Sequence, residues 1–114
     1  MNVVTLIGNL ATEVEARDVG EEKKVASFVL AVDRRSSTGG ADFIRISAWD
    51  KQAESCERFL TKGQRVAVDG RLRSRSWDDP DGKKRSAVEV VANHVQFLSL
   101  PERAESPFEE AAVS

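Results

Sequence analysis

The sequence predicts an all-β barrel of five strands with a single helix between the third and the fourth. Three observations predict it. Five separate stretches alternate apolar with polar residues, the period of two that a half-buried strand requires. One stretch alone carries apolar residues at helical spacing. Clusters rich in Gly, Pro, Ser and Asp punctuate the stretches where the chain must turn.

The first strand covers residues 3–10, with Val4, Leu6, Gly8 and Leu10 on one face and Val3, Thr5 and Ile7 on the other. The acidic residues 13–22 read as a bend and a turn around Gly20. The second strand covers residues 25–32, with Ala26, Phe28, Leu30 and Val32 sharing a face. Residues 36–40, Ser-Ser-Thr-Gly-Gly, form a loop, and residues 43–49 are the third strand. Asp50 then reads as an N-cap whose carboxylate accepts from the first helical turn. Ala53, Cys56, Phe59 and Leu60 fall on one helical face, and Gly63 stands where a left-handed C-terminal residue is wanted. The long fourth strand covers residues 65–77. A turn over residues 78–82, Asp-Asp-Pro-Asp-Gly, leads into a valine-rich fifth strand over residues 83–98. This order is that of an OB-fold barrel. Residues 99–114 lack periodicity and carry two prolines, so they read as a short acidic, disordered tail on a domain of residues 1–98.

The 114 residues suffice for one domain that folds without staples. No apolar stretch approaches the ~18 residues of a membrane span, and no basic-then-apolar leader opens the chain. The single cysteine, Cys56, permits no internal disulfide and points to a reducing cytoplasm. It sits on the apolar helix face and reads as a buried, inert thiol. His94 has no second ligand at a metal-like spacing, so no metal and no cofactor are expected.

A net charge of −2 hides a strong asymmetry. Residues 1–33 hold 3 basic and 6 acidic side chains, residues 34–85 hold 13 and 8, and residues 99–114 hold 1 and 4. A basic middle between acidic flanks fits a polyanion ligand, although a mixed solvated surface would give the same counts.

The third and fourth strands make the case specific. Ile44, Ile46 and Ala48 point one way, and Phe43, Arg45, Ser47 and Trp49 point the other. Arg45 is costly to bury, so its face is the outer one, and two large aromatics lie there with it. On the fourth strand Val66, Val68, Gly70 and Leu72 share the core face, while Arg71, Arg73, Arg75 and Trp77 share the outer one. Like charges in phase repel unless a phosphate backbone neutralises them, and aromatic rings can stack bases. Any one of Phe43, Trp49 or Trp77 alone reads more simply as packing. All three in phase with four arginines read as a stacking platform with a charged rail, set on adjacent strands. Arg34 and Arg35 before the Gly-rich loop, Lys51 on the helix, and Lys83, Lys84 and Arg85 after the hairpin turn extend the candidate phosphate contacts.

The chain resembles the bacterial single-stranded DNA-binding protein family over residues 2–98. The matching segments are residues 2–10, Asn-Val-Val-Thr-Leu-Ile-Gly-Asn-Leu, and residues 41–46, Ala-Asp-Phe-Ile-Arg-Ile. Residues 49–54, 60–63, 68–77 and 89–92 match as well. The resemblance implies an OB fold, a homotetramer built as a dimer of dimers, and sequence-tolerant binding of single strands in replication, repair and recombination at the nucleoid. It implies base stacking at Phe43, Trp49 and Trp77. The chain departs from the family pattern where Ser36 and Ser86 stand at frequent aromatic positions, and it has no tyrosine. Fewer platforms imply weaker binding, which the extra arginines offset. The family often ends in an acidic tip closing on Pro-Phe that recruits replication and repair proteins. Here Pro107-Phe108 is followed by Glu109-Glu110-Ala111-Ala112-Val113-Ser114, which argues against a contact through the terminal carboxylate.

Three other readings compete. A primosome-type OB-fold dimer in replication restart keeps a basic face but commonly lacks the arginine–tryptophan hairpin. A protein-interaction OB module has no use for in-phase arginines. An enzyme would need clustered carboxylates or a nucleophile–base pair, and the acidic residues lie scattered in turns, helix and tail. Catalysis is not expected.

Overall fold

The computed structural model describes residues 1–98. Strands β1 (Val4–Leu10), β2 (Glu15–Asp18), β3 (Lys24–Asp33) and β4 (Ala41–Trp49) come first. Helix α1 (Asp50–Phe59) follows, then strands β5 (Arg65–Asp78) and β6 (Lys84–Phe97). The sheet order is β1-β5-β6-β4-β3-β2, and β1 also pairs with β3. Strands β1, β5, β6, β4 and β3 therefore close a ring, and all pairings are antiparallel except β4 beside β6. This is the expected all-β OB-fold barrel, with its helix between the third and fourth barrel strands. The acidic residues 99–114 lie outside the described residues. No helix among the described residues is long and apolar enough to cross a membrane.

Alternation builds the core. Phe28 and Leu30 of β3, Ile46 and Ala48 of β4, Val66 and Val68 of β5, and Val90 of β6 are all buried. Ala53 and Cys56 of α1, with Leu60 beyond it, pack into the same cluster. Each fully buried Val, Leu, Ile or Phe contributes roughly 1.5–3 kcal/mol relative to exposure. Burial in this apolar setting also pushes the Cys56 thiol up to about 11, consistent with an inert group.

Four local expectations need correction. The stretch read as a bend holds β2, whose residues pair with positions 24–27 of β3. Val14 and Ala16 pack against the core while Glu13, Glu15 and Arg17 stay exposed, so an alternation was present beneath the charges. Leu72, placed on the core face, is 48% exposed. A bulge lies between Asp69 and Gly70. Beyond it β5 and β6 run on as a two-stranded arm in which positions 71–78 and 84–88 are exposed. The core ends beneath Leu72.

The other two corrections concern the helix. Asp50 is not its cap: Trp49 holds that position with no side-chain cap bond, and Asp50 has φ 51. Aspartate tolerates this left-handed conformation better than most residues, and it turns the strand into the helix within one step. Phe59 is exposed, since it lies six residues past Ala53, about 240° round the helix. It packs instead on Phe97, with ring centroids 6.4 Å apart. Gly63 does adopt a positive φ, 94°, but in the turn after Leu60, where its N–H donates to the Leu10 carbonyl at 2.8 Å.

Two glycines permit the closure. A Cβ on Gly8 would collide with the Ala31 carbonyl, and one on Gly70 with the Val91 carbonyl. Gly8→Ala and Gly70→Ala are each expected to lower stability by about 1–3 kcal/mol, the usual cost of overpacking. Urea denaturation measures this; a midpoint unmoved in both variants would show that the barrel backbones can separate freely.

Candidate nucleic-acid interface

The outer face of the barrel collects the residues that alternation aimed away from the core. Phe43, Arg45, Ser47 and Trp49 come from β4, and Arg71, Arg73, Arg75 and Trp77 come from β5. These strands are not neighbours: β6 runs between them. It places Val91, Glu89, Ala87 and Arg85 opposite the four β5 residues in turn. The sequence shows two alternating strands but not what lies between, so the face is wider than adjacency implied. At ~4.8 Å per strand, β4 and β5 stand about 10 Å apart.

Two clefts divide this face. The first, of about 410 Å³, is lined by Trp49, Arg71, Arg73, Val91 and Ala92. The second, of about 320 Å³, is lined by Arg45 and Arg75 together with Arg17, Glu15, Ala16, Val25 and Ser27. Trp49 is half-buried, while Phe43 is 68% exposed and Trp77 is 43% exposed. The Arg73 guanidinium lies 5.9 Å from the Trp49 ring centroid, and that of Arg75 lies 5.1 Å from Trp77. Trp77 stands on the same side of the arm as the arginines.

The basic residues of this face and of its two loops fall into two groups. Arg34 donates to Asp42 at 2.9 Å, Arg85 to Asp79 at 2.8 Å, and Arg73 to Glu89 at 2.5 Å. Arg17, Arg35, Arg45, Arg71, Arg75, Lys83 and Lys84 form no ion pair among the described residues. Glu89 is 3% exposed and also accepts from the Ser47 hydroxyl at 3.4 Å. Lys51 lines neither cleft. It lies in the first turn of α1, next to His94 and Phe59 on one side and to Asp18, Glu22 and Glu54 on the other. Arg34 and Arg35 sit at the β3–β4 loop, and Lys83, Lys84 and Arg85 at the far end of the arm. Ser36 bonds within its own loop, and Ser86 faces Ser76 across the arm.

Sequence reasoning missed Arg17. It lies in the acidic segment whose charges masked a strand, and only the pairing of β2 on β3 carries it to the cleft with Arg45 and Arg75. The weak Val14–Ala16 alternation was the available signal.

A family model described as "Single-strand binding protein family" matches residues 1–98. The chain is 48% identical over 102 residues to "Single-stranded DNA-binding protein 3" of Clostridium acetobutylicum, covering 86% of this chain and 71% of that one. It is 45% identical over 102 residues to "Single-stranded DNA-binding protein" of Clostridium tetani, covering 86% and 70%. It is also 41% identical over 109 residues to "Single-stranded DNA-binding protein 2" of Listeria innocua, covering 92% and 69%.

The tip of the arm is held by one carboxylate. Asp79 accepts from the Lys83 and Asp81 amides at 2.9 Å each and from Arg85. The Lys83 amide, then Arg85 and the Asp81 amide, hold its carboxyl below the ordinary aspartate range. The tip should therefore stay ordered above that range and loosen only as pH falls through the depressed value. In an NMR titration the Asp81 and Lys83 amides should move with a midpoint below the ordinary ~3.9. A midpoint at or above that value would mean that the carboxylate does not hold the turn.

Proposed function

The chain belongs to the single-strand binding protein family, and we propose that it binds single-stranded DNA with little regard to sequence, protecting it during replication, repair and recombination. The observation that carries this reading is the first cleft, where Trp49 stands beside Arg71 and Arg73. A tryptophan face beside guanidinium groups suits a base stacked next to its own phosphate. Each base on an aromatic ring contributes ~1–3 kcal/mol, whatever its identity. Phe43 and Trp77 are the further platforms of the proposal. Arg45, Arg71 and Arg75, joined by Arg17, form the phosphate rail, and Arg35, Lys83 and Lys84 extend it at the two loops. Arg34, Arg73 and Arg85 would first have to exchange a carboxylate for a phosphate. Lys51 would contact only a strand that wraps past α1. The protein binds its ligand and catalyses no reaction on it, in the reducing cytoplasm beside the nucleoid.

Titration of tryptophan emission with oligo-dT tests the proposal, with duplex DNA and oligo-U as comparisons. Oligo-dT should quench strongly and duplex should not. Trp49→Ala and Trp77→Ala should each weaken binding by ~1–3 kcal/mol. Equal affinity in both folded variants would remove the stacking platform.

We further propose that the barrel assembles with copies of itself into a tetramer of two dimers. Residues 4–9 of β1 pair with β5 along one edge, but on the other edge only Asn9 and Leu10 meet β3. Most of that edge is open, and Val3 and Ile7 beside it are exposed. An open edge with apolar flanks favours strand addition. Light scattering should give a tetramer for the full chain and for one lacking residues 101–114, with nearly equal DNA affinity. A monomer at micromolar concentration would refute the assembly, and a tetramer lost on truncation would refute a tail that stands apart from it.

A further inference from the structure

Glu89 is a buried carboxylate beneath an arginine-lined face. Nothing in the proposed binding uses it directly, and its negative charge repels that of the ligand. An acid there would weaken phosphate binding unless it had another task. The backbone register sets Glu89 directly opposite Arg73, and the two side chains form an ion pair. The Ser47 hydroxyl of β4 donates to the same Glu89 Oε2 atom. Strands β4, β5 and β6 are thus tied at one oxygen. From this anchor the Arg73 guanidinium lies over the Trp49 ring, while its side chain stays 42% exposed. Arg71 and Arg75, its neighbours on the same face, have no carboxylate partner among the described residues.

We propose that Glu89 is a positioning residue that holds Arg73 as the wall of the Trp49 stacking slot and withdraws it from phosphate binding. The inference rests on the single-strand binding proposed above. A guanidinium bound to a buried carboxylate is already neutralised, so it displaces no counterion when DNA arrives. It presents a flat, donor-edged surface beside the indole, which suits the face or edge of a base. Arg71 and Arg75 flank it with uncompensated charge and take the phosphates. The three in-phase arginines therefore divide into two roles that their sequence pattern does not distinguish.

The salt dependence of oligo-dT binding reads this division, because each phosphate contact on a single strand contributes ~0.7 to the slope of log K against log salt. Arg71→Ala and Arg75→Ala should each flatten the slope by ~0.7. The double variant Arg73→Ala with Glu89→Gln, which leaves no buried carboxylate unpaired, should weaken binding and leave the slope as it is in the unaltered protein. Glu89→Gln keeps the shape, removes the charge and frees Arg73, so the slope should steepen by ~0.7, about a 2.6-fold larger affinity loss between 50 and 200 mM salt. In a Trp77→Phe background, where Trp49 is the one remaining tryptophan, Glu89→Gln should also shift the emission of the protein without DNA. A purely structural carboxylate would move neither reading in a folded variant. Flattening in the double variant, or an unchanged slope in folded Glu89→Gln, overturns the proposal. If Glu89→Gln alone does not fold, the double variant decides. Failure of the unaltered protein to bind oligo-dT would instead defeat the proposed function. The Trp49 emission without DNA would then decide whether Glu89 holds Arg73 in place.

Discussion

The fold depends on β1 reaching two partners at once. It pairs with β5 along most of its length and with β3 at Asn9 and Leu10, and this double pairing turns an open sheet into a ring. The ring closes only where backbones can touch, at Gly8 against Ala31 and at Gly70 against Val91. Once it is closed, every strand has an inside and an outside. Phe28, Leu30, Ile46, Val66, Val68 and Val90 fill the inside. The positions between them have no choice but to face out. The concentration of arginine and aromatic residues on one surface is therefore a consequence of closure acting on a period-two sequence.

The same geometry explains why the surface is divided. Strand β6 runs between the two strands that carry the aromatics. It contributes Glu89, which would be out of place on a simple cationic rail. Buried under Arg73 and bonded to Ser47, it forms part of a satisfied polar network, and no buried side-chain polar atom among the described residues lacks a partner. An unpaired carboxylate in that position would be costly. Here it fixes the direction of one guanidinium. The arm beyond the bulge is built differently, with exposed positions on both sides and its tip tied by Asp79. Charge on the arm is thus carried clear of the core, where a long flexible ligand can reach it.

Much of this was legible in the chain. The barrel strands follow from alternation, the helix from Ala53, Cys56 and Leu60, and the outer face from Arg45 between Phe43 and Trp49. Local charge and local spacing misled where a neighbour decided the outcome. Glu13, Glu15 and Asp18 made a strand look like a turn, because its pairing partner on β3 is invisible from within the segment. Phe59 fits a helical face by spacing, yet its surroundings are set by Phe97 from the far end of the chain. Leu72 keeps the core phase perfectly, but the core stops beneath it.

By itself the sequence determined which side chains share a face, since that depends only on the pleat of each strand. It determined the family as well, through motifs standing in order along the chain. Tertiary structure alone decided which faces meet. It inserted β6 between the aromatic strands, carried Arg17 to Arg45 and Arg75, and set Glu89 under Arg73. The physical reason is that alternation is a local property of one strand. Ion pairing, burial and the width of a cleft belong to strands brought side by side from distant parts of the chain.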